Sequence, residues 1–179
     1  GIKRQALIMV GSALGDTVGK LRSKLYNEEF AHGYRKNLQE RKKNLAIVTL
    51  TKRGAQLGTE LKKKIPAAHL FVPRKLGIKG VRIKAYNQPL HDLFGELVNH
   101  YSNFICIMAT GIVVRTITPF LIHKSVDPAI VVLDEKGRFA ISLVSGHLGG
   151  ANELAEQVAS LTGGESVVTT ATDVHSMPA

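Results

Sequence analysis

The sequence predicts an α/β fold, a three-layer sandwich built on a mostly parallel sheet with one antiparallel hairpin. Three observations predict it. From residue 45 onward, short apolar runs alternate with segments whose apolar residues recur every three to four positions. One run, FICIMA at 104–109, is apolar on both faces, as suits a central parallel strand covered by helices. Finally, Glu135-Lys136-Gly137 joins two further runs with a glycine in the turn, a hairpin signal.

Taken in order, LAIVTLT (45–51) reads as a buried strand, and 54–65 as a helix with Leu57, Leu61 and Ile65 on one face, stopped by Pro66. AHLFV (68–72) is the next strand. A Pro/Gly/Lys-rich connection over 74–84 leads to a helix at 89–101 with the stripe Leu90, Leu93, Phe94 and Leu97. FICIMA is followed by a helix at 111–122, because Ile112, Thr116, Pro119 and Phe120 make poor sense as an alternating strand. AIVVLD (129–134) and RFAISLV (138–144) flank the hairpin turn. A helix at 151–161 carries Leu154, Val158 and Leu161 and ends at Gly163-Gly164, and SVVTT (166–170) is the last strand. Ahead of all this, RQALIMVG (4–11) is a strand pattern outside the rhythm, and 23–44 is polar and basic, with a linker over 35–44. The expected organisation is therefore an appendage at 1–44 and an α/β domain at 45–179.

With 179 residues, 44% hydrophobic, the chain can bury a real core. The lone Cys106 excludes an internal disulfide and, inside its apolar run, reads as a buried, inert thiol. No run is long enough to span a membrane and the first residues lack a cleavage pattern, so the expected location is the cytoplasm. Charge is uneven: +6 over 1–44, +9 over 45–84 and −5 over 85–179. Such a balance attracts polyanions, but the cations are scattered and aromatics are only 6% with no Trp, which argues against nucleic acid. The histidines are dispersed without metal-ligand spacing, so no protein-bound metal is expected, and GSALGDTVGK (11–20) lacks the spacing of a phosphate loop.

Three polar turns follow apolar runs: ATGIVVRT (109–116), SGHLGGANEL (145–154) and TTATD (169–173). Ligands of parallel sheets collect beyond the carboxyl ends of the strands, so all three are expected to line one mouth. The second turn opens a helix, where backbone N–H groups suit a carboxylate or other oxygen-rich ligand.

ATGIVVRTITP, KSVDP, VVLDEKGRFAISLVSGHLGGANELA and VVTTATDV together resemble the N-terminal domain of the CbiG family, the cobalt-precorrin-5A hydrolases of anaerobic cobalamin biosynthesis. The resemblance runs from about residue 45 to the end and is densest over 109–174. Separately, RQALIMVG and RSKLYNEEFAHGYR (22–35) resemble the C-terminal end of the CbiF family, the cobalt-precorrin-4 carbon-11 methyltransferases, so the chain is similar to a piece of a methyltransferase–hydrolase fusion. The resemblance implies opening of a δ-lactone on a cobalt corrinoid with release of acetaldehyde. The cobalt arrives inside the substrate, and S-adenosylmethionine belongs to methyltransferase segments not present here. Implied partners are the corrinoid intermediate and other enzymes of the corrin pathway.

Lactone opening needs an activated water, a base and donors for the developing oxyanion. His147 is the candidate base, since histidine titrates near neutrality, or else it orients the turn. Glu153 is the second catalytic candidate, or a helix-starting carboxylate. Ser145 and Gly146 open the turn. Gly149 and Gly150, with the amides of Ala151 and Asn152, are candidate donors, or the glycines only permit close packing. Asn152 can hold a substrate amide or carboxylate. Arg115, after Thr110 and Gly111, suits a bidentate grip on a carboxylate, or a salt bridge to Asp127 or Asp134. Thr170, Thr172 and Asp173 add hydroxyls and a carboxylate. A corrinoid-binding module without catalysis and a basic nucleotide- or nucleic-acid-binding domain are the alternatives.

Overall fold

The computed structural model describes residues 44–147 and 149–170. Seven strands form one sheet: β1 (Leu45–Thr49), β2 (His69–Pro73), β3 (Ile83–Tyr86), β4 (Asn103–Ile107), β5 (Ala129–Leu133), β6 (Phe139–Val144) and β7 (Glu165–Val167). Four helices accompany them: α1 (Lys52–Lys64), α2 (Leu90–Leu97), α3 (Thr110–Ile117) and α4 (Ala151–Thr162). Short 3₁₀ turns lie at Arg74–Leu76 and Thr118–Phe120. The strand order is β3-β2-β1-β4-β5-β6-β7, and every pairing is parallel except that of β5 with β6. This is the sandwich expected from the sequence. Strand 4–11 and the other features read in residues 1–43 lie outside the described residues.

Strand alternation divides the core into two faces. Ile47, Ile105, Ile107, Val131 and Leu133 meet α1 and α4, whereas Val48, Phe104, Cys106, Ile130 and Val132 meet α2 and α3. Cys106 is fully buried, and burial pushes its thiol up. Helix α1 starts at Lys52, two residues ahead of the expected 54, because Thr51 accepts the Gly54 amide (3.0 Å), and it ends with Lys62, Lys63 and Lys64 against the negative end of its dipole.

One strand was missed. The connection expected over 74–84 contains the start of β3, which pairs with β2 from Leu70↔Ile83 to Pro73↔Tyr86. Its four residues alternate Ile83 inward on the α1 face with Lys84 and Tyr86 on the other, too short a pattern, preceded by Arg82 and interrupted by Lys84, to stand out. Tertiary contact holds it: the buried Tyr86 hydroxyl donates to the Thr49 carbonyl (2.8 Å), and burial pushes this phenol up to about 12. The lysine on this edge strand also discourages pairing with a foreign strand.

The hairpin decides direction. Because β6 runs antiparallel to β5, and β7 parallel to β6, the last two strands point opposite to the first five. Helix α4 then makes the β6-α4-β7 crossover on the α1 face.

Candidate functional site

The reversal separates the three polar turns. Each follows its own strand, but the carboxyl end of β4 lies at one edge of the sheet and the carboxyl ends of β6 and β7 lie at the other. The Ser145 hydroxyl donates to the Asp127 carbonyl (3.0 Å), and Asp127 precedes β5, so the 145–154 turn sits beside the amino ends of β4 and β5. The expected single mouth is thereby corrected: His147 and Arg115 stand at opposite edges, separated by the five-residue length of β4, roughly 15 Å.

At the carboxyl edge, α3 begins at Thr110 immediately past β4, with Gly111 and the exposed Arg115 one turn apart. The guanidinium lies over Gly111, 3.5 Å from where a side-chain carbon would stand. Neither carboxylate proposed for Arg115 takes it. Asp134 pairs with Arg138 (3.1 Å), and Asp127 accepts the Ile122 amide (2.8 Å). Asp134 organises the hairpin turn by also accepting the amides of Arg138 (2.7 Å), Phe139 (3.0 Å) and Lys136 (3.4 Å). Partial burial works to raise its pKa, but the hydrogen bonds from Phe139, Arg138 and Lys136 outweigh it and hold the carboxyl below its ordinary value. Next to it, Glu135 accepts the Thr51 hydroxyl, linking the hairpin to the start of α1. A cavity of about 440 Å³ opens here, bounded by Thr110, Asp134 and Glu135 on the polar side and Phe139, Ile141 and Val167 on the apolar side. Sequence reading placed Asp134 at a strand end, as an alternative partner for Arg115, and Glu135 in the turn, and gave neither a place in a site. The signal available was two adjacent carboxylates at the end of a buried strand.

At the amino edge, Ser145, Gly146, His147, Gly149, Gly150, Asn152, Glu153 and Thr170 come together, because α4 returns over β6 and the chain beyond β7 ends alongside. Ser145 holds a left-handed backbone (φ 58°), an uncommon state for serine. Its carbonyl accepts the Ala151 amide (3.2 Å), and the Gly146 carbonyl accepts the Asn152 amide (3.1 Å). These two amides, expected as donors to a ligand, are thus spent closing the turn. A side-chain carbon on Gly149 would come within 2.3 Å of Ser145 Cβ, and one on Gly146 within 2.6 Å of Thr170 Oγ1, so close packing accounts for both glycines. Gly150 caps α4 (φ 85°), and the exposed Glu153 folds back over it, its carboxylate placed for the positive end of the helix.

Asn152, expected to face a ligand, is only 5% exposed. Its Oδ1 accepts the Ser142 hydroxyl (2.6 Å), and its Nδ2 donates to Thr170 Oγ1 (3.3 Å). His147 is exposed on the turn. Thr172 and Asp173 lie outside the described residues. Among the described residues no three His, Cys, Asp or Glu side chains gather as a metal site, and no helix is long and apolar enough to cross a membrane.

A second cavity, about 460 Å³, opens between β3 and α2, where Lys84 and His100 flank Phe71, Tyr86 and Tyr101. Sequence reading singled out none of these as a site, because their grouping depends on the missed strand.

Comparison with known proteins agrees with this architecture. Residues 92–173 match the family model described as Cobalamin synthesis G N-terminal. A cobalt-precorrin-5A hydrolase of Priestia megaterium is 37% identical over 134 residues, 73% of this chain and 36% of its own length. One from Salmonella typhimurium is 38% identical over 136 residues, 76% of this chain and 38% of its own. This chain therefore spans little more than a third of the length of these relatives. A crystal structure described as a cobalamin biosynthesis protein G homologue from Sulfolobus solfataricus superposes with a TM-score of 0.55 at 22% identity, over 71% of this chain and 37% of the other, a likeness of fold. The match to that family model runs from α2 to the chain beyond β7, the stretch in which both candidate edges are built.

Proposed function

We propose that the chain is the N-terminal part of a cobalt-precorrin-5A hydrolase of cobalamin biosynthesis. In this reading it opens the δ-lactone of a ring-contracted cobalt corrinoid, and the extruded two-carbon unit leaves as acetaldehyde. The similarity of about three quarters of the chain to two proteins named cobalt-precorrin-5A hydrolase carries the reading.

The residues suit a division of labour. Water adds to the lactone carbonyl carbon, the ring C–O bond breaks, and a base must take the proton that the water gives up. His147 is the proposed base, because it is exposed at the edge where two of the three polar turns meet. Glu153 stands six residues on, in the first turn of α4, as the second candidate for proton transfer. Thr170 and Ser145 shape the turn. Arg115 and Thr110 are too distant to touch the same lactone. Residues 1–44 are read as the tail of a fused precorrin-4 carbon-11 methyltransferase and its linker, with 45–179 as the hydrolase domain.

The test is His147→Ala in the full protein that carries this chain, with acetaldehyde release and corrinoid binding measured in parallel. Turnover is expected to fall by about 10²-fold or more, with affinity changed less than threefold. Undiminished turnover overturns the assignment of His147. Binding without turnover in the unsubstituted protein overturns the hydrolase in favour of a corrinoid-holding module.

A further inference from the structure

Thr49 and Asn152 are the buried polar side chains among the described residues. The Thr49 hydroxyl bonds the Phe71 carbonyl of the neighbouring strand (3.3 Å) and stays within the sheet. Asn152 does something different, since its polar atoms join three separate stretches of chain. Oδ1 takes the hydroxyl of Ser142 on β6, Nδ2 reaches Thr170 three residues past β7, and the amide N–H holds the Gly146 carbonyl in the turn. Gly146 is wedged into the same contact. A side-chain carbon there would stand 2.6 Å from Thr170 Oγ1 and 2.7 Å from Asn152 Oδ1.

An amide in a helix face packed with Ala151, Leu154, Ala155 and Val158 adds nothing to apolar burial and is costly unless fully bonded. What it adds is direction. Hydrogen bonds to β6 and to the segment after β7 define where Gly146 sits relative to both, and the next residue in the chain is His147. An apolar side chain would fill the space and leave the turn free to shift.

We infer that Asn152 and Thr170 form a clasp that fixes the bearing of the His147 ring: they are positioning residues rather than ligands of the substrate. The inference rests on the reading of His147 as the base. It also gives the close approach at Gly146 a purpose, since the clasp can close only over a residue without a side chain.

The experiment uses Thr170→Val, which removes the hydroxyl at nearly constant volume, and Thr170→Ser, which keeps it. In the full protein, the His147 ring proton resonance, assigned by its loss in His147→Ala, is expected to be single and sharp. Thr170→Val should shift or broaden it, and Thr170→Ser should restore it. In turnover, Thr170→Val is expected to lower kcat roughly tenfold with KM within about twofold. Added to His147→Ala, it should cost nothing further, because the clasp acts only through that ring.

A His147 resonance unchanged by Thr170→Val overturns the clasp whether or not the protein turns over. An equal loss in the presence and absence of His147 also overturns it. If the resonance responds but His147→Ala keeps full activity, the clasp stands and the assignment of the base fails. Ser142→Ala, which frees the other end of the amide, repeats the measurement should Thr170→Val not fold.

Discussion

Asp134 shows how much one carboxylate can organise. It accepts three backbone amides and the Arg138 side chain, so it substitutes for a strand partner through the whole turn from β5 to β6. Its pKa is lowered in the folded chain. Its contribution to stability is therefore complete above its unfolded value, near 4, and is lost as pH falls through the lower folded value. Asp134→Asn is expected to reduce stability at pH 7 by about 1–2 kcal/mol, because one amide nitrogen would face donors. It should also flatten the acid limb of the stability curve below about pH 4. Urea midpoints measured between pH 2.5 and 7 check both. The same contacts explain why Arg115 lacks the partner expected for it. Asp134, one of the two carboxylates expected for it, is paired with Arg138 four positions along the chain, a local pairing that the hairpin geometry favours.

At the scale of the element, α1 and the hairpin share one hydroxyl. Thr51 caps α1 by accepting the Gly54 amide and donates to Glu135 beyond β5, so the helix start and the turn are fixed together. Thr51→Ala should lose about 1 kcal/mol, and Thr51→Ser most of an order less, read as the shift in thermal midpoint. If both cost the same, the hydroxyl is not what holds the helix start. The helices and the long strands were legible in the sequence because their apolar periods are strong: the stripe from Leu90 to Leu97 and the run from Phe104 to Ile107 require only local reading. The boundaries shifted by a few residues, with 118–120 tightening into 3₁₀ around Pro119 rather than continuing α3. Strand β3 was not legible, because four residues that follow Arg82 and include Lys84 carry too little pattern, and its strand character comes from Leu70 to Pro73 alongside it.

For the whole molecule, what matters is that one turn reverses the last two strands. Two of the three polar segments then share the amino edge, and the third is carried to the carboxyl edge. Arg115→Ala is accordingly expected to change corrinoid affinity less than twofold, measured by absorbance titration, although its charge and setting resemble an anion grip. A tenfold loss would place the ligand at the carboxyl edge instead. The sign of this reversal was present in the sequence as Glu135-Lys136-Gly137, since a tight hairpin obliges the following strand to run backwards. Sequence by itself determined the α/β class, the helical faces, the hairpin and the chemistry available in each polar turn, because propensity, period and turn type are local. Only the tertiary structure decided which turns meet, that the amides of Ala151 and Asn152 are spent within their own turn, and that Asn152 is buried. Those outcomes depend on which strands pair and on contacts between residues far apart in the chain, which no local pattern encodes.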